Sequence, residues 1–163
     1  MVALVDPTST VYTEATYAEF HAFARAIGLQ TQTFRASSSQ EIDAVFGNLD
    51  HERPDALFVG NDGLFVTHRV QLSNLASRHA IPVAYASREI TEVGGLMSDG
   101  TDIVHSLYQT DVYVGRILNG AKPSNPPVIR STKFEFVLNL KTAKTLGLQI
   151  SGRVLALADE VIE

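Results

Sequence analysis

The stretch ALFVGNDG, residues 56–63, contains the strand that decides the fold class. Four apolar residues lie between the turn signal Pro54-Asp55 and the turn Gly60-Asn61-Asp62-Gly63. A short apolar run with such limits predicts a buried strand. A helical pattern follows over residues 65–79, with Leu72, Leu75 and Ala76 facing inward. The stretch therefore predicts one strand–turn–helix unit.

The same alternation of strand and helix runs along the whole chain. Further strands are predicted at 2–5, 29–34, 83–86 and, as the alternating run KFEFVLNL, 133–140. Ser38 and Glu41 form a capping box before a helix. Asn139 caps a short helix over 140–146, and the tail 151–163 is predicted to be helical. The expected inner helix faces are Phe20, Phe23, Ala24 and Ile27; Ile42, Val45, Phe46 and Leu49; Ile103, Leu107, Val114 and Ile117; and Val154, Leu157, Ala158 and Val161.

Repeated strand–helix units predict a parallel sheet with right-handed crossovers. The expected fold class is therefore α/β, a three-layer parallel-sheet sandwich. Residues 122–127, KPSNPP, read as a linker in a polyproline-like conformation.

Composition excludes several classes of function. The 163 residues are 45% hydrophobic and 19% charged, with a net charge of −5 and no cysteine. An acidic chain without a basic run argues against nucleic acid as a partner. Without cysteine there is no disulfide, thiolate metal site or cysteine nucleophile. No apolar run approaches the ~18 residues that span a bilayer, and we expect no signal peptide within the chain.

The chain carries no strong catalytic or nucleotide-binding motif. The patterns G-x-S-x-G, G-x-x-x-x-G-K-[ST], G-x-G-x-x-G and H-E-x-x-H are all absent. The five histidines have no metal-ligand spacing. Asp6 lacks the neighbouring acidic pair and the later lysine of a response-regulator phosphoacceptor. We therefore expect no catalytic residue, no metal and no cofactor.

Ligands of parallel α/β sheets bind beyond the carboxyl ends of the strands. GGLMSDG, residues 94–100, lacks the lysine of a phosphate-binding loop and is interpreted as a flexible turn with Gly94, Gly95 and Gly100. Each polar residue near a predicted strand end is either ordinary turn chemistry or a ligand contact. The candidate ligand-binding residues are Asp6, Ser9, Thr10, Asn61, Asp62, Ser87, Arg88 and Ser98.

Four segments carry a resemblance to a known family. They are PVAYASREITEVGGLMSDG, ILNGAKPSNPPV, TKFEFVLNLKTAKTLGLQI and LADEVIE. The chain resembles the substrate-binding proteins of ABC transporters, including the tryptophan and tyrosine types, over nearly its whole length. It departs from the family pattern at Asp99, where an aromatic residue is common, and at Ser151-Gly152, where a proline is common. Ligand choice is expected to differ accordingly.

The resemblance implies one lobe of a type I periplasmic-binding fold. Such proteins have two lobes and about twice this length, so the chain reads as the C-terminal half. It also implies that GGLMSDG lies at a hinge and cleft edge. Residues 1–129 would form the ligand-binding lobe, and 130–163 would form a crossover strand and helices that pack on the missing first lobe. Phe134, Phe136, Leu138, Leu146 and Val154 would then be exposed, which predicts a homodimer through residues from about Arg130 onward.

The function implied by the resemblance is solute binding for an ABC importer by domain closure, without catalysis. Hydroxyls and backbone N–H groups would hold a carboxylate, and Asp62 would suit an amino group, as in an amino acid. The partner would be an ABC permease, and the full-length protein would be periplasmic or lipid-anchored and extracytoplasmic. Two alternatives remain at this point: an effector domain of a sensor or repressor, and a small flavodoxin-like enzyme.

Overall fold

A single seven-stranded sheet organises the part of the chain described by the computed structural model, residues 1–9, 14–123 and 133–163. The strands are β1 (Val2–Val5), β2 (Gln32–Arg35), β3 (Leu57–Val59), β4 (Val83–Tyr85), β5 (Met97–Thr101), β6 (Phe134–Asn139) and β7 (Glu160–Ile162). Their spatial order is β2-β1-β3-β4-β5-β6-β7. All neighbours pair in parallel except β5 and β6, which are antiparallel. The predicted α/β class is confirmed, and the sheet is mostly parallel.

Eight helices are present in the described ranges. They are α1 (Glu14–Ala26), α2 (Ser39–Glu52), α3 (Gly63–Thr67), α4 (Arg69–Arg78), α5 (Arg88–Glu92), α6 (Ile103–Leu118), α7 (Leu140–Thr145) and α8 (Gly152–Leu155). The helix predicted over 65–79 is thus two helices that meet at His68, whose backbone has non-helical torsion angles.

The main hydrophobic core lies between one face of the sheet and the helices α2, α4 and α5. Alternate strand residues supply the sheet side of this core, because successive side chains of a strand point to opposite faces. The predicted inner faces of α2 and α4 are confirmed, since all of their members are buried. The core includes Leu4, Ile42, Val45, Phe46, Leu49, Val59, Leu72, Leu75, Ala76, Tyr85 and Ile90.

The opposite face of the sheet is less completely covered. Phe20 of α1 stacks on Phe58 of β3, with ring centroids 6.3 Å apart. Of the rest of the predicted inner face of α1, Ala24 is buried, but Phe23 is 68% and Ile27 58% exposed. That part of the prediction is wrong, because periodicity identifies an apolar face without showing what covers it.

Helix α6 departs further from its prediction. Its bounds agree with the sequence pattern, but no residue of the helix is buried. Leu107, predicted to face inward, is 60% exposed, and Ile103, Val114 and Ile117 are exposed as well. The apolar stripe is real, but it has no partner among the described residues of this chain.

Two segments adopt another structure than the sequence predicts. Residues 97–100 of GGLMSDG, together with Thr101, form β5 and not a turn, because this segment pairs with strands on both sides. The tail predicted as one helix forms the short α8 and then β7. Asp159 fixes this ending, because its carboxylate accepts the backbone N–H of Phe136 and its own N–H donates to the Phe136 carbonyl.

The C-terminal segment lies in the same sheet as the rest of the chain. β6 pairs with β5 on one side and β7 on the other. The predicted exposure is wrong for Leu138, which this pairing places in the interior, whereas Phe134 is exposed. Val137 and Leu138 are buried, and Asn139 caps α7 by accepting the N–H of Thr142, as predicted. Residues 124–127 of the expected linker lie outside the described residues.

Gly100 permits the close approach of β5 to the end of β4. A Cβ at this position would lie 2.0 Å from the carbonyl oxygen of Ala86. Because the neighbour is backbone, a side chain can be admitted only if the strands move apart.

We therefore expect Gly100→Ala to lower the free energy of unfolding by about 1–3 kcal/mol, the usual cost of overpacking. Gly115→Ala in α6 is the matched control, because its Cβ would meet nothing within 4 Å. Removing that helical glycine should raise stability by roughly 0.5–1 kcal/mol. Urea unfolding of both variants measures the difference, and equal effects would contradict the close approach.

Candidate functional site

One edge of the sheet collects the carboxyl ends of β1, β3, β4 and β5, since these strands run in the same direction. The antiparallel β6 brings its amino end to the same edge, which places Glu135 there. A cavity of about 700 Å³ opens at this edge. It is lined by Asn61, Val66, Ala86, Ser87, Arg88, Glu89, Glu92, Thr101, Asp102, Ile103, Val104 and Glu135. Three of the eight predicted ligand residues, Asn61, Ser87 and Arg88, are among them.

Asn61 and Ser87 meet at the cavity. The Ser87 hydroxyl donates a hydrogen bond to the Asn61 side-chain oxygen over 3.3 Å, which links the turns after β3 and β4. Ser87 precedes α5 but makes no side-chain capping bond there. Its hydroxyl and the Asn61 amide are therefore polar groups that a ligand in the cavity can reach.

Asp6 and Asp62 use their carboxylates to hold turns. The buried Asp6 accepts the backbone N–H of Thr8 at 2.8 Å and the Thr8 hydroxyl at 2.7 Å. Asp62 accepts the N–H of Leu64 at 2.8 Å and caps α3. Neither they nor Ser9 line the cavity, and Thr10 lies outside the described residues. The two carboxylates follow β1 and β3 at the predicted edge of the sheet, where they stabilise turns and do not line the cavity.

Arg88 lies at the first position of α5 and is surrounded by carboxylates. Its guanidinium pairs with Glu135 of β6, with Glu92 one turn along α5 at 2.9 Å, and with Glu160 of β7 at 2.9 Å. These bonds, that to Glu135 first, raise the pKa of Arg88 above its ordinary value. Arg88 thus connects the rim of the cavity to the last two strands, and each of its three nitrogens donates a hydrogen bond to a glutamate of the protein.

Ser98 is buried inside the fold and does not line the cavity. It is 1% exposed and pairs in register with Tyr85 of β4. Among the described residues, the hydroxyls of Ser98, Tyr85 and Thr91 have no hydrogen-bond partner. Burial also raises the pKa of Tyr85. These groups belong to the interior beneath α5 and not to its exposed edge.

Gly94 and Gly95 form the turn between α5 and β5. Gly94 has a φ of +110°, a conformation that side chains rarely adopt. Gly95 is buried, and a Cβ there would lie 2.7 Å from the Tyr85 ring and 2.8 Å from the Ile90 carbonyl oxygen. Both glycines are explained by the tight packing of α5 on the sheet, at the opposite end of β5 from the cavity.

Asp102 is the most informative residue that sequence reasoning missed. It follows β5, lines the cavity and caps α6 by accepting the N–H of His105 at 2.8 Å. Its carboxylate also pairs with Lys133 at 2.8 Å. The Lys133 ammonium, followed by the His105 N–H, lowers the pKa of Asp102. The capping position before an apolar helix is visible in the sequence, but the sequence predicts a turn where β5 lies.

Other chemical groups of the described chain do not form a reactive centre. His21 bonds to the hydroxyls of Thr31 and Thr33, and His79 pairs with Asp50. Within the described ranges, no three histidine or acidic side chains are placed to hold a metal ion. None of the helices described there is long and apolar enough to cross a membrane.

Comparison with known proteins agrees with a binding cleft. The family model described as "ABC transporter substrate binding protein" matches residues 4–162. The chain belongs to this family. The description of the family is that of a binding protein and not of an enzyme. No curated protein matches the chain.

Solved structures give the same fold. The ABC domain from Streptococcus pneumonia in complex with L-Trp has 28% identity and a TM-score of 0.87, over 99% of this chain and 54% of that one. A conserved domain protein from Vibrio cholerae has 23% identity and a TM-score of 0.81, over 98% and 53%. A ligand-free, open substrate-binding protein with adhesive properties from Clostridium difficile has 22% identity and a TM-score of 0.69, over 99% and 53%. This substrate-binding protein chain therefore spans about half the length of these relatives.

The ion pairs of Arg88 lead to a prediction about stability. Arg88→Lys keeps the charge but loses the planar fork that holds several carboxylates. Because the cluster is partly exposed, we expect a loss of about 1 kcal/mol in the free energy of unfolding, and more for Arg88→Met. Arg78→Lys on the exposed end of α4 is the control and should change stability little. Urea unfolding at low salt tests this, and equal behaviour of Arg88→Lys and Arg78→Lys would mean that the cluster does not fasten the strands.

Proposed function

We propose that this chain forms one half of a solute-binding cleft and takes a small molecule, such as an amino acid, into the cavity beside Ser87 and Asp102. The observation that supports this proposal most strongly is the position of that cavity at the carboxyl edge of the sheet. The L-Trp complex of the 28% identical relative supports an amino acid as the kind of ligand. Asn61, Ser87 and Asp102 are the polar contacts that we assign to it.

The rest of the cleft would come from residues that this chain lacks. The solved relatives are nearly twice as long, so a protein of their length has a second half available to close over the ligand. Domain closure around the ligand would then present it to an ABC permease. An importer role and an extracytoplasmic location, in the periplasm or on a lipid anchor, belong to this proposal.

Helix α6 supplies the surface for the second half. Its exposed apolar side chains include Val104 and Leu118, 77% and 81% exposed, and the helix begins at the cavity beside Asp102. A stripe of this kind on an otherwise ordinary surface marks an interaction site. We therefore assign the interlobe contact to α6 and not to the segment from residue 130 onward.

Binding of L-tryptophan by this chain tests the proposed function. With one half of the contacts, we expect a dissociation constant of roughly 0.1–10 mM, seen as shifts of backbone amide NMR signals around the cavity. Ser87→Phe should abolish these shifts by filling the cavity. Ser77→Phe, on the exposed side of α4, should preserve them. Shifts that survive Ser87→Phe, or that cluster elsewhere, would contradict the site.

The state of association tests the assignment of α6. An uncovered apolar stripe should make the isolated chain associate, and a homodimer is the expected product. Leu107→Lys should make the chain monomeric because it places a charge on the stripe. Phe134→Lys is the matched control, since Phe134 is equally exposed on β6. Light scattering measures both variants. If Phe134→Lys alone abolishes the dimer, the interface lies in the C-terminal segment and not on α6. If the unmodified chain is a monomer, the exposed stripe is not a contact surface.

A further inference from the structure

The charges around the cavity indicate the class of ligand more narrowly than the fold does. Four carboxylates line the cavity, those of Glu89, Glu92, Asp102 and Glu135, against the single guanidinium of Arg88. The nearest ion partners outside the lining are Glu160 and Lys133. Five carboxylates therefore meet two cations in this part of the molecule.

Both cations already have carboxylate partners within the protein. Arg88 is shared by Glu92, Glu135 and Glu160, and Lys133 pairs with Asp102. A ligand carboxylate would have to compete with these carboxylates for the two positive charges. It would also have to approach carboxylates of the same sign within a concave site, where the field is focused.

Glu89 is the lining carboxylate without a cationic partner among the described residues. It lies in the first turn of α5, half-buried, and lines the cavity. Among the residues that the structure describes, no cation pairs with Glu89 and no donor bonds to its carboxylate. An ammonium group inside the cavity would supply that partner.

The remaining lining of the cavity is apolar in part. Val66 of α3, Ala86 after β4, and Ile103 and Val104 of α6 contribute aliphatic surface. A ligand that satisfies both parts of the lining has a positive group and an apolar body.

We propose that the cavity selects amines with an apolar body and discriminates against anions of the same shape, with Glu89 as the residue that sets this preference. The inference rests on the proposed function, because it concerns the ligand of that same cavity. Arg88 is a positioning residue that holds the acidic lining in place.

Two indole compounds of similar size and opposite charge test the proposal on this chain. Tryptamine carries an ammonium group and indole-3-propionate a carboxylate, and L-tryptophan carries both. In NMR titrations at low salt we expect tryptamine to bind about tenfold more tightly than indole-3-propionate. Because the preference is electrostatic, raising sodium chloride to about 0.5 M should narrow the difference.

Two variants test whether Glu89 sets the preference for the ammonium compound. Glu89→Gln should reduce the ratio of the two affinities at least threefold, whereas Glu19→Gln on the exposed side of α1 should leave it unchanged. Well-dispersed spectra of both variants verify that they fold. A ratio that Glu89→Gln leaves unchanged overturns the assignment to Glu89.

The outcomes separate this inference from the proposed function. Equal binding of the two compounds, or tighter binding of indole-3-propionate, overturns the charge preference while a shift pattern around the cavity still supports solute binding there. If none of the three compounds shifts the cavity signals, the proposed function of this chain is contradicted together with the preference.

Discussion

Parallel pairing of β1, β3, β4 and β5 is the constraint on which the rest of the structure depends. Parallel strands end at a common edge, so the turns that follow them meet there without any long-range signal in the sequence. The antiparallel β6 returns to the same edge and adds Glu135. One pairing pattern thus brings together a cavity, its polar groups and its charges from distant parts of the chain.

The ion pairs of Arg88 connect this edge to the end of the chain. Glu135 and Glu160 lie 47 and 72 residues away from Arg88 in sequence, yet both bond to it. Ion pairs therefore hold the rim of the cavity to β6 and β7. Helix α6, which begins at the cavity, instead exposes its apolar stripe. This contrast suits the proposed half-cleft, in which ion pairs hold the cavity to its own sheet and exposed apolar side chains are left to contact a second lobe.

Much of the fold could be predicted from the sequence. The strands β1, β3 and β4 are apolar runs, α2 and α4 have periodic apolar faces, and the structure buries most of these residues in the core. Two of the errors share one cause. The stripe of α6 and Phe23 of α1 are apolar and periodic, but periodicity does not say whether a partner belongs to the same chain. Within the site, the ends of the strands can be predicted from the sequence. The partners of Arg88 cannot, because they depend on the order of the strands in the sheet. Asp102 and Glu89 are not among the predicted ligand residues, and Asp102 follows a strand for which the sequence predicts a turn.

Two cavities at opposite ends of the sheet allow a direct test of the account. The second, of about 250 Å³, has an almost wholly apolar lining that includes Met1, Phe58, Ala84 and Met97. A crystal structure of the chain with L-tryptophan locates the ligand. The account predicts density in the carboxyl-edge cavity, with the ligand ammonium nearest Glu89 and the Arg88 ion pairs intact. Density in the apolar cavity, or a ligand carboxylate bound to an Arg88 that has left its glutamates, would contradict it.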